Sequence, residues 1–242
     1  MADGYYPVGE DCVLYHAYWD GTAVDHSEYG RDGSVNGSTF VENGLSFDGN
    51  NDYVRNNGPI TVGTSDYGIM VWIKLDATAG AGHIFDIFGT GLLDIFVYED
   101  GTSFRHWNIW PGSAWNRNGT HAGVEGVWHH ITSYIDRDVG LKMYADTVQI
   151  LSFGGNWSAV NLPASAKNVI GINGNDLTTY PLKAIIGEIL VFKGIPDYAN
   201  HFNATKSRYG YGPYNESRAG ALNQAGEYSR HLNMLRIESG DL

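Results

Sequence analysis

The spacing of the turn signals constrains this chain more than any other feature. GRDGSVNGST (30–39) and SFDGNNDYV (46–54) crowd Gly, Asn and Asp into short gaps, and similar breaks recur down the chain. Gly supplies the left-handed backbone of tight turns, while Asn and Asp side chains bond back to their own backbone. The short apolar runs between such breaks read as strands. GIMVWIKL (68–75) is apolar at both parities and reads as a central strand. HIFDIFGTGLLDIFVYEDG (83–101) reads as two strands around Gly89-Thr90-Gly91. WHHITSYIDRDVGLKMYADTVQILSF (128–153) reads as three, with turns at Asp136–Gly140 and Asp146-Thr147. NVIGIN (168–173) and AIIGEILVF (184–192) add two more. The expected fold is all-β, a sandwich of two antiparallel sheets.

One short C-terminal helix is expected over about 197–209. After Gly194-Ile195-Pro196, Asp197 can cap a helix with Tyr198, Phe202 and Tyr209 on one face, and Gly210 stops it. Residues 211–242 show no strand pattern. Their weak helical spacing of Ala219, Leu222, Leu232 and Leu235 is interrupted by Gly220 and Gly226. The expected division is an N-terminal segment 1–11, a sandwich 12–210 and an extended C-terminal arm 211–242.

Composition narrows the partners. A length of 242 residues suits one large all-β domain. A formal net charge of −12 repels phosphate backbones, so nucleic acid is not an expected partner. Cys12 stands alone, which excludes an intrachain disulfide and a thiolate metal cluster. No apolar run approaches the ~18–20 residues of a membrane span. MADGYYPVGED has neither the basic nor the apolar region of a secretory signal. The expectation is a protein made in the cytoplasm that works on a virion or other extracellular particle surface.

Six blocks in order resemble one superfamily. DHSEYGRDGSVNG (25–37) is similar to its opening segment, GLSFDGNNDYV (44–54) to its "ALSFDGxDDYV" strand, and GIMVWIKL to "FTVSAWVKP". VWHHITSYID (127–136) is similar to "WHHVAVTYD", GLKMYADTVQI (140–150) to "LKLYVDGVLV", and IIGEILVFKGIP (185–196) to "IAEVIVYNRAL". Over about residues 12–210 the chain resembles the concanavalin A-like, laminin G-type jelly rolls. FNATKSRYG (202–210) further resembles the ends of such domains in structural proteins of tailed phages.

Candidate sites follow from residue chemistry. In RHWNIWPGSAWNRNGTHAG (105–123), Trp107, Trp110 and Trp115 lie among Arg105, Asn108 and Arg117 in a Pro/Gly/Asn-rich stretch read as a loop. Flat rings suit the C–H faces of sugars, and amides and guanidinium groups suit their hydroxyls. The same aromatics also suit a subunit contact or packing beneath a long loop. The family resemblance implies a Ca²⁺ near the opening segment, with Asp25 and Asp32 as ligands and Asp52 beside them. The same carboxylates also simply build turns.

Catalysis finds little support. The Glu-x-Asp-x-x-Glu run of family glycosidases is missing, Asp136 and Asp138 fall in a turn, and Glu188 is alone on its strand. His129 and His130, adjacent on a strand, point to opposite faces and cannot share one ion. Trp72 and Trp128 read as core between the sheets. The expected function is a non-enzymatic structural or adhesive module, a virion decoration subunit with lectin-like recognition. Its arm would dock on other copies of itself or on assembly proteins, and surface glycan is a further expected partner. The alternatives are a free carbohydrate-binding lectin and a glycan hydrolase.

Overall fold

The computed structural model describes residues 5–76, 80–87, 93–97, 103–110, 113–120, 125–156, 158, 168–174 and 176–211, with side chains left out from 87 to 120. Among them, fifteen strands form two antiparallel sheets. The eight-stranded sheet holds β1 (Cys12–His16), β3 (Thr39–Val41), β4 (Gly44–Asp48), β6 (Tyr67–Leu75), β11 (Trp128–Asp136), β12 (Gly140–Ala145), β13 (Val148–Gly154) and β15 (Lys183–Lys193). Its order is β13-β12-β11-β6-β15-β4-β3, with β1 also on β15. The seven-stranded sheet holds β2 (Gly33–Asn36), β5 (Tyr53–Asn56), β7 (Gly82–Ile87), β8 (Leu93–Val97), β9 (Ser103–Trp110), β10 (Ser113–Thr120) and β14 (Asn168–Ile170). Its order is β10-β9-β8-β7-β14-β5-β2. This is the expected two-sheet jelly roll.

Local signals placed most strands. Asp146 and Thr147 both take positive φ, the signature of the two-residue type I′ turn that joins β12 to β13. The main core lies between the sheets. Val71 and Ile73 of β6, Ile131 and Ile135 of β11, and Ile186, Ile189 and Val191 of β15 meet Val54, Phe85 and Ile170 there.

A second layer of packing covers the outer face of the eight-stranded sheet. Trp72 and Met70 alternate with the core residues of β6 and so point outward. Trp72 is fully buried, but under α1 (Tyr198–Thr205) and the 3-10 turn Lys206–Tyr209 rather than between the sheets as its strand alone suggested. Its ring stacks on Phe202 at 5.6 Å and on Tyr209 at 4.6 Å, and its Nε1 donates to Thr205 Oγ1 at 2.8 Å. Trp128 is half-buried beside Tyr209 at 4.8 Å. Asp197 caps α1 by accepting from Asn200 N, and Gly210 ends the turn with φ 69°. Tyr198, one turn before Phe202, covers the same sheet face further along and stacks on Tyr144 at 4.3 Å.

Both ends of the sandwich reach beyond the expected 12–210. Tyr5, Tyr6 and Val8 pack on Cys12, Tyr15 and Leu190, and Lys193 N donates to Asp11 O. Tyr211, expected in the free arm, is buried against Trp72 and Phe202 of its own sandwich. Residues 212–242 lie outside the described residues.

β15 changes partners along one edge, pairing with β4 over Lys183–Ile186 and with β1 over Ile189–Phe192. Its ladder with β6 slips between Ile186 and Glu188, so Gly187 is a bulge. A Cβ there would stand 2.2 Å from the Tyr209 ring. Gly187→Ala is therefore expected to displace Tyr209 and cost ~1–3 kcal/mol by overpacking. Urea denaturation reads the loss, and a wild-type midpoint would contradict this account of the bulge.

Candidate functional site

The aromatic segment is not a loop. Residues 103–110 and 113–120 form the β9–β10 ribbon at one edge of the seven-stranded sheet, beside β13 of the other. Its Trp, Phe and Ile positions suit a pleated strand, and this outweighs the Asn and Gly content that argued for a loop. In the ladder Trp115 stands opposite Asn108, Arg117 opposite His106, Trp107 opposite Asn116 and Arg105 opposite Asn118. Register therefore divides the six named residues by parity. Asn108, Trp110, Trp115 and Arg117 fall at one, Arg105 and Trp107 at the other. Their side chains lie outside the described residues.

The opening acidic segment is organised around one carboxylate. Asp25 Oδ1 accepts from Tyr15 N and Ser27 N, each at 2.9 Å. Asp25 Oδ2 accepts from Ser27 Oγ at 2.8 Å and Arg31 N at 2.7 Å. A carboxylate offers about four lone-pair sites, and all are taken. Asp32 Oδ1 accepts from Asp25 N at 2.9 Å. Asp52 is remote from both. Asp32 precedes β2, whereas Asp52 sits against Gly37 just past its far end and accepts from Asp48 N. Four strand residues separate the two by ~13 Å. Asp25, Asp32 and Asp52 thus do not fit a shared Ca²⁺, and the described residues hold no group of three or more His, Cys, Asp or Glu placed for a metal. The DHSEYGRD loop uses its carboxylates for its own backbone.

His129 and His130 separate as their parity requires. His129 Nδ1 pairs with Asp146 Oδ2 at 2.6 Å, and His130 Nε2 meets His201 Nδ1 at 2.8 Å on the outer face. Asp136 accepts from the backbone of Asp138 and Val139 and builds the turn there.

Sequence reading missed the surroundings of Glu188. The Gly187 bulge turns it to the outer face, where it is fully buried beneath α1. Its Oε2 accepts from Tyr15 Oη at 3.0 Å and Trp19 Nε1 at 3.4 Å, with Arg208 Nη1 at 3.6 Å. Its Oε1 faces His201 Nε2 at 3.5 Å. Arg208 also lies 3.8 Å over the Trp19 ring. No carboxylate stands among these partners. Glu188, His130 and His201 are all buried, and the cluster braces the helix on the sheet. The one sequence signal was a Gly inside an apolar strand, which marks a bulge or a close approach.

Burial sets the charge states here. It pushes His130 down to about 4, with the Asp146 carboxylate pulling the other way. It lowers His201 well below the ordinary histidine range, with His130 and Arg208 adding to the effect. Burial raises Glu188, against the opposing pull of Arg208 and the bonds from Tyr15 and Trp19. An unfolded histidine titrates at ~6.5. Between that pH and about 4 the unfolded chain binds protons that folded His130 refuses, so its contribution to stability falls as pH falls. Glu188 acts in the opposite sense, losing stability as pH rises above the unfolded carboxyl range. Replacing His130 by Gln is expected to flatten the decline of the urea midpoint from pH 6.5 to 4. A slope equal to wild type would show that His130 is not its source.

The family model for the concanavalin A-like lectin/glucanases superfamily, a laminin G-type model, matches residues 48–195. No curated protein matches the sequence. Among solved structures, the botulinum neurotoxin serotype D binding domain matches at 12% identity and TM-score 0.65, over 82% of this chain and 52% of that one. The binding domain of botulinum neurotoxin DC in complex with SialylT matches at 13% identity and TM-score 0.64, over 82% and 52%. This chain thus spans about half the length of those toxin domains. Domain 4 of an extracellular arabinanase from Geobacillus stearothermophilus, in complex with arabinotriose, matches at 15% identity and TM-score 0.61. That match covers 80% of this chain and 98% of that domain.

Proposed function

Because the chain belongs to the concanavalin A-like lectin/glucanases superfamily, we propose that it is a non-catalytic module that binds glycans through the β9–β10 ribbon. The observation that carries this reading is the ribbon itself. It concentrates Trp107, Trp110 and Trp115, with Arg105, Asn108 and Arg117, on a paired strand edge. Indole faces suit sugar C–H surfaces, and amide and guanidinium donors suit hydroxyls. Paired strands hold such groups with less ordering cost than a loop. The arabinanase domain bound to arabinotriose and the toxin binding domains support the reading as relatives in fold. Across the ladder Ile170–Phe85–Ile95–His106–Arg117, the parity of Asn108, Trp110, Trp115 and Arg117 is that of the core residues Phe85 and Ile170, so Arg105 and Trp107, at the other parity, are the stronger choice.

Glycan arrays and calorimetry, starting with arabinotriose and a sialylated oligosaccharide, test the proposal. Trp107→Ala with Arg105→Ala is expected to weaken binding at least ten-fold while the melting temperature stays near wild type. A core role predicts instead a loss of ~3–5 kcal/mol per truncation. Unchanged binding by the double variant would remove the ribbon from the site.

A second reading concerns assembly on a virion or other particle surface outside the cell, where many copies would make weak single-site affinity sufficient. It keeps the expected arm except its first residue, since Tyr211 is buried on Trp72 and Phe202 of its own sandwich. In this reading residues 212–242 dock on another copy of the chain or on an assembly protein. Deleting 212–242 while keeping Tyr211 is expected to leave a folded monomer with unchanged melting that no longer assembles. Light scattering of both chains reads the outcome, and normal assembly by the shorter one would refute it.

A further inference from the structure

A groove of about 320 Å³ opens on the outer face of the eight-stranded sheet, where β4, β15 and β6 lie side by side. Its lining includes Ser46, Asp48, Lys74, Asp76, Lys183 and Ile185. That volume is at the lower end of the ~300–1,000 Å³ range of small-ligand sites. The ladder explains how these residues meet. Ser46 stands opposite Ile185, Ile185 opposite Lys74, and Lys74 opposite Trp128, in one row across four neighbouring strands. Asp48 stands opposite Lys183 in the next row. Directly opposed residues lie ~4.5–5.5 Å apart at Cβ, so the row presents one continuous surface. Gly126 N donates to Leu75 O at 2.8 Å and fixes one wall.

The charges in the groove are not equivalent. Lys183 Nζ lies 3.4 Å from Asp76 Oδ1, so that cation is paired. Lys74 has no hydrogen bond or ion pair among the described residues. Both Asp48 oxygens already accept from Asn50, one from its N and one from its Nδ2. The groove thus joins one unengaged ammonium with a hydroxyl, carboxylate acceptors and an apolar strip. Trp128 beside Lys74 is held by Tyr209.

We infer that this groove binds an acidic sugar residue, a pyranose bearing a carboxylate, as a subsite separate from the β9–β10 ribbon. The inference rests on the glycan-binding reading of the chain. Lys74 takes the carboxylate, Ser46 and Asp76 take ring hydroxyls, and Ile185 covers a C–H face. A neutral sugar of the same shape desolvates Lys74 and returns no anion to it, so discrimination falls on the carboxylate. Binding should also weaken as salt rises, since Lys74 is only half-buried.

The test is a titration of the full chain with methyl glucuronide and, separately, methyl glucoside, followed by amide chemical shifts. The expected result is perturbation confined to residues 46–48, 74–76, 125–126 and 183–185, with the glucoside at least ten-fold weaker. Lys74→Met should lose the glucuronide preference at unchanged melting temperature, and Lys74→Arg should keep it. Equal response to both sugars, shifts elsewhere, or full binding by Lys74→Met would overturn the inference. The Trp107→Ala, Arg105→Ala variant separates the two claims. It should retain glucuronide at the groove while losing arabinotriose, so failure of the ribbon and failure of the groove appear in different titrations.

Discussion

The bulge at Gly187 is the constraint on which most of the structure depends. Side chains alternate faces with period two, so a regular β15 would place Glu188 on the same side as Ile186, inside the main core. A carboxylate there would have no donors and would cost several kcal/mol or change protonation. The one-residue slip returns Ile189 and Val191 to the core and sends Glu188 and Leu190 outward. It also removes the Cβ that would strike Tyr209. One glycine therefore allows both the inter-sheet core and the helical cover to form.

That cover decides where the protein can meet other molecules. Tyr5, Trp19, Phe202, Tyr209 and Tyr211 close the centre of the outer face, and Glu188 Oε2 accepts from Tyr15 and Trp19 with Arg208 nearby, while its Oε1 stands unbonded 3.5 Å from His201. Ordering those stretches costs conformational entropy, which the Trp72 stacks and the buried hydrogen bonds offset. What stays open on that sheet, among the described residues, is its β4–β15–β6 end.

The two-sheet fold was legible because its signals are local. GIMVWIKL, the Asp146-Thr147 turn and the Asp197-to-Gly210 helix each announce themselves within a dozen residues. The second face of β6 was harder to interpret. Trp72 reads as apolar whichever layer it fills, and only the fold reveals that α1 returns to cover it. In sequence the β9–β10 ribbon reads as a loop because Asn, Gly and Arg alternate with its aromatics, a polar pattern that an edge strand tolerates. Asp25 and Asp32 look like ligands by composition. Whether a carboxylate is free depends on which N–H groups the chain brings to it, and those come from Tyr15, Ser27 and Arg31. The cluster around Glu188 joins residues 15, 19, 188, 201 and 208, a separation no motif can span.

The charge of the chain sets different conditions for the two proposed surfaces. A net charge of −12 repels an anion once it comes within about a Debye length, ~8–10 Å at moderate salt. A neutral glycan approaching the β9–β10 ribbon experiences none of this, and its affinity rests on ring contact and hydrogen bonds that salt hardly changes. An acidic sugar must cross the repulsive field first, and only inside it does the unpaired Lys74 act, at a range where Coulomb attraction at the surface is about 4 kcal/mol per close pair before desolvation. Moderate salt therefore shortens the repulsion and the attraction together, and the field slows arrival more than it weakens the final contact. In the proposed groove, where Lys74 is unengaged among the described residues, selection would rest on short-range fit rather than on steering.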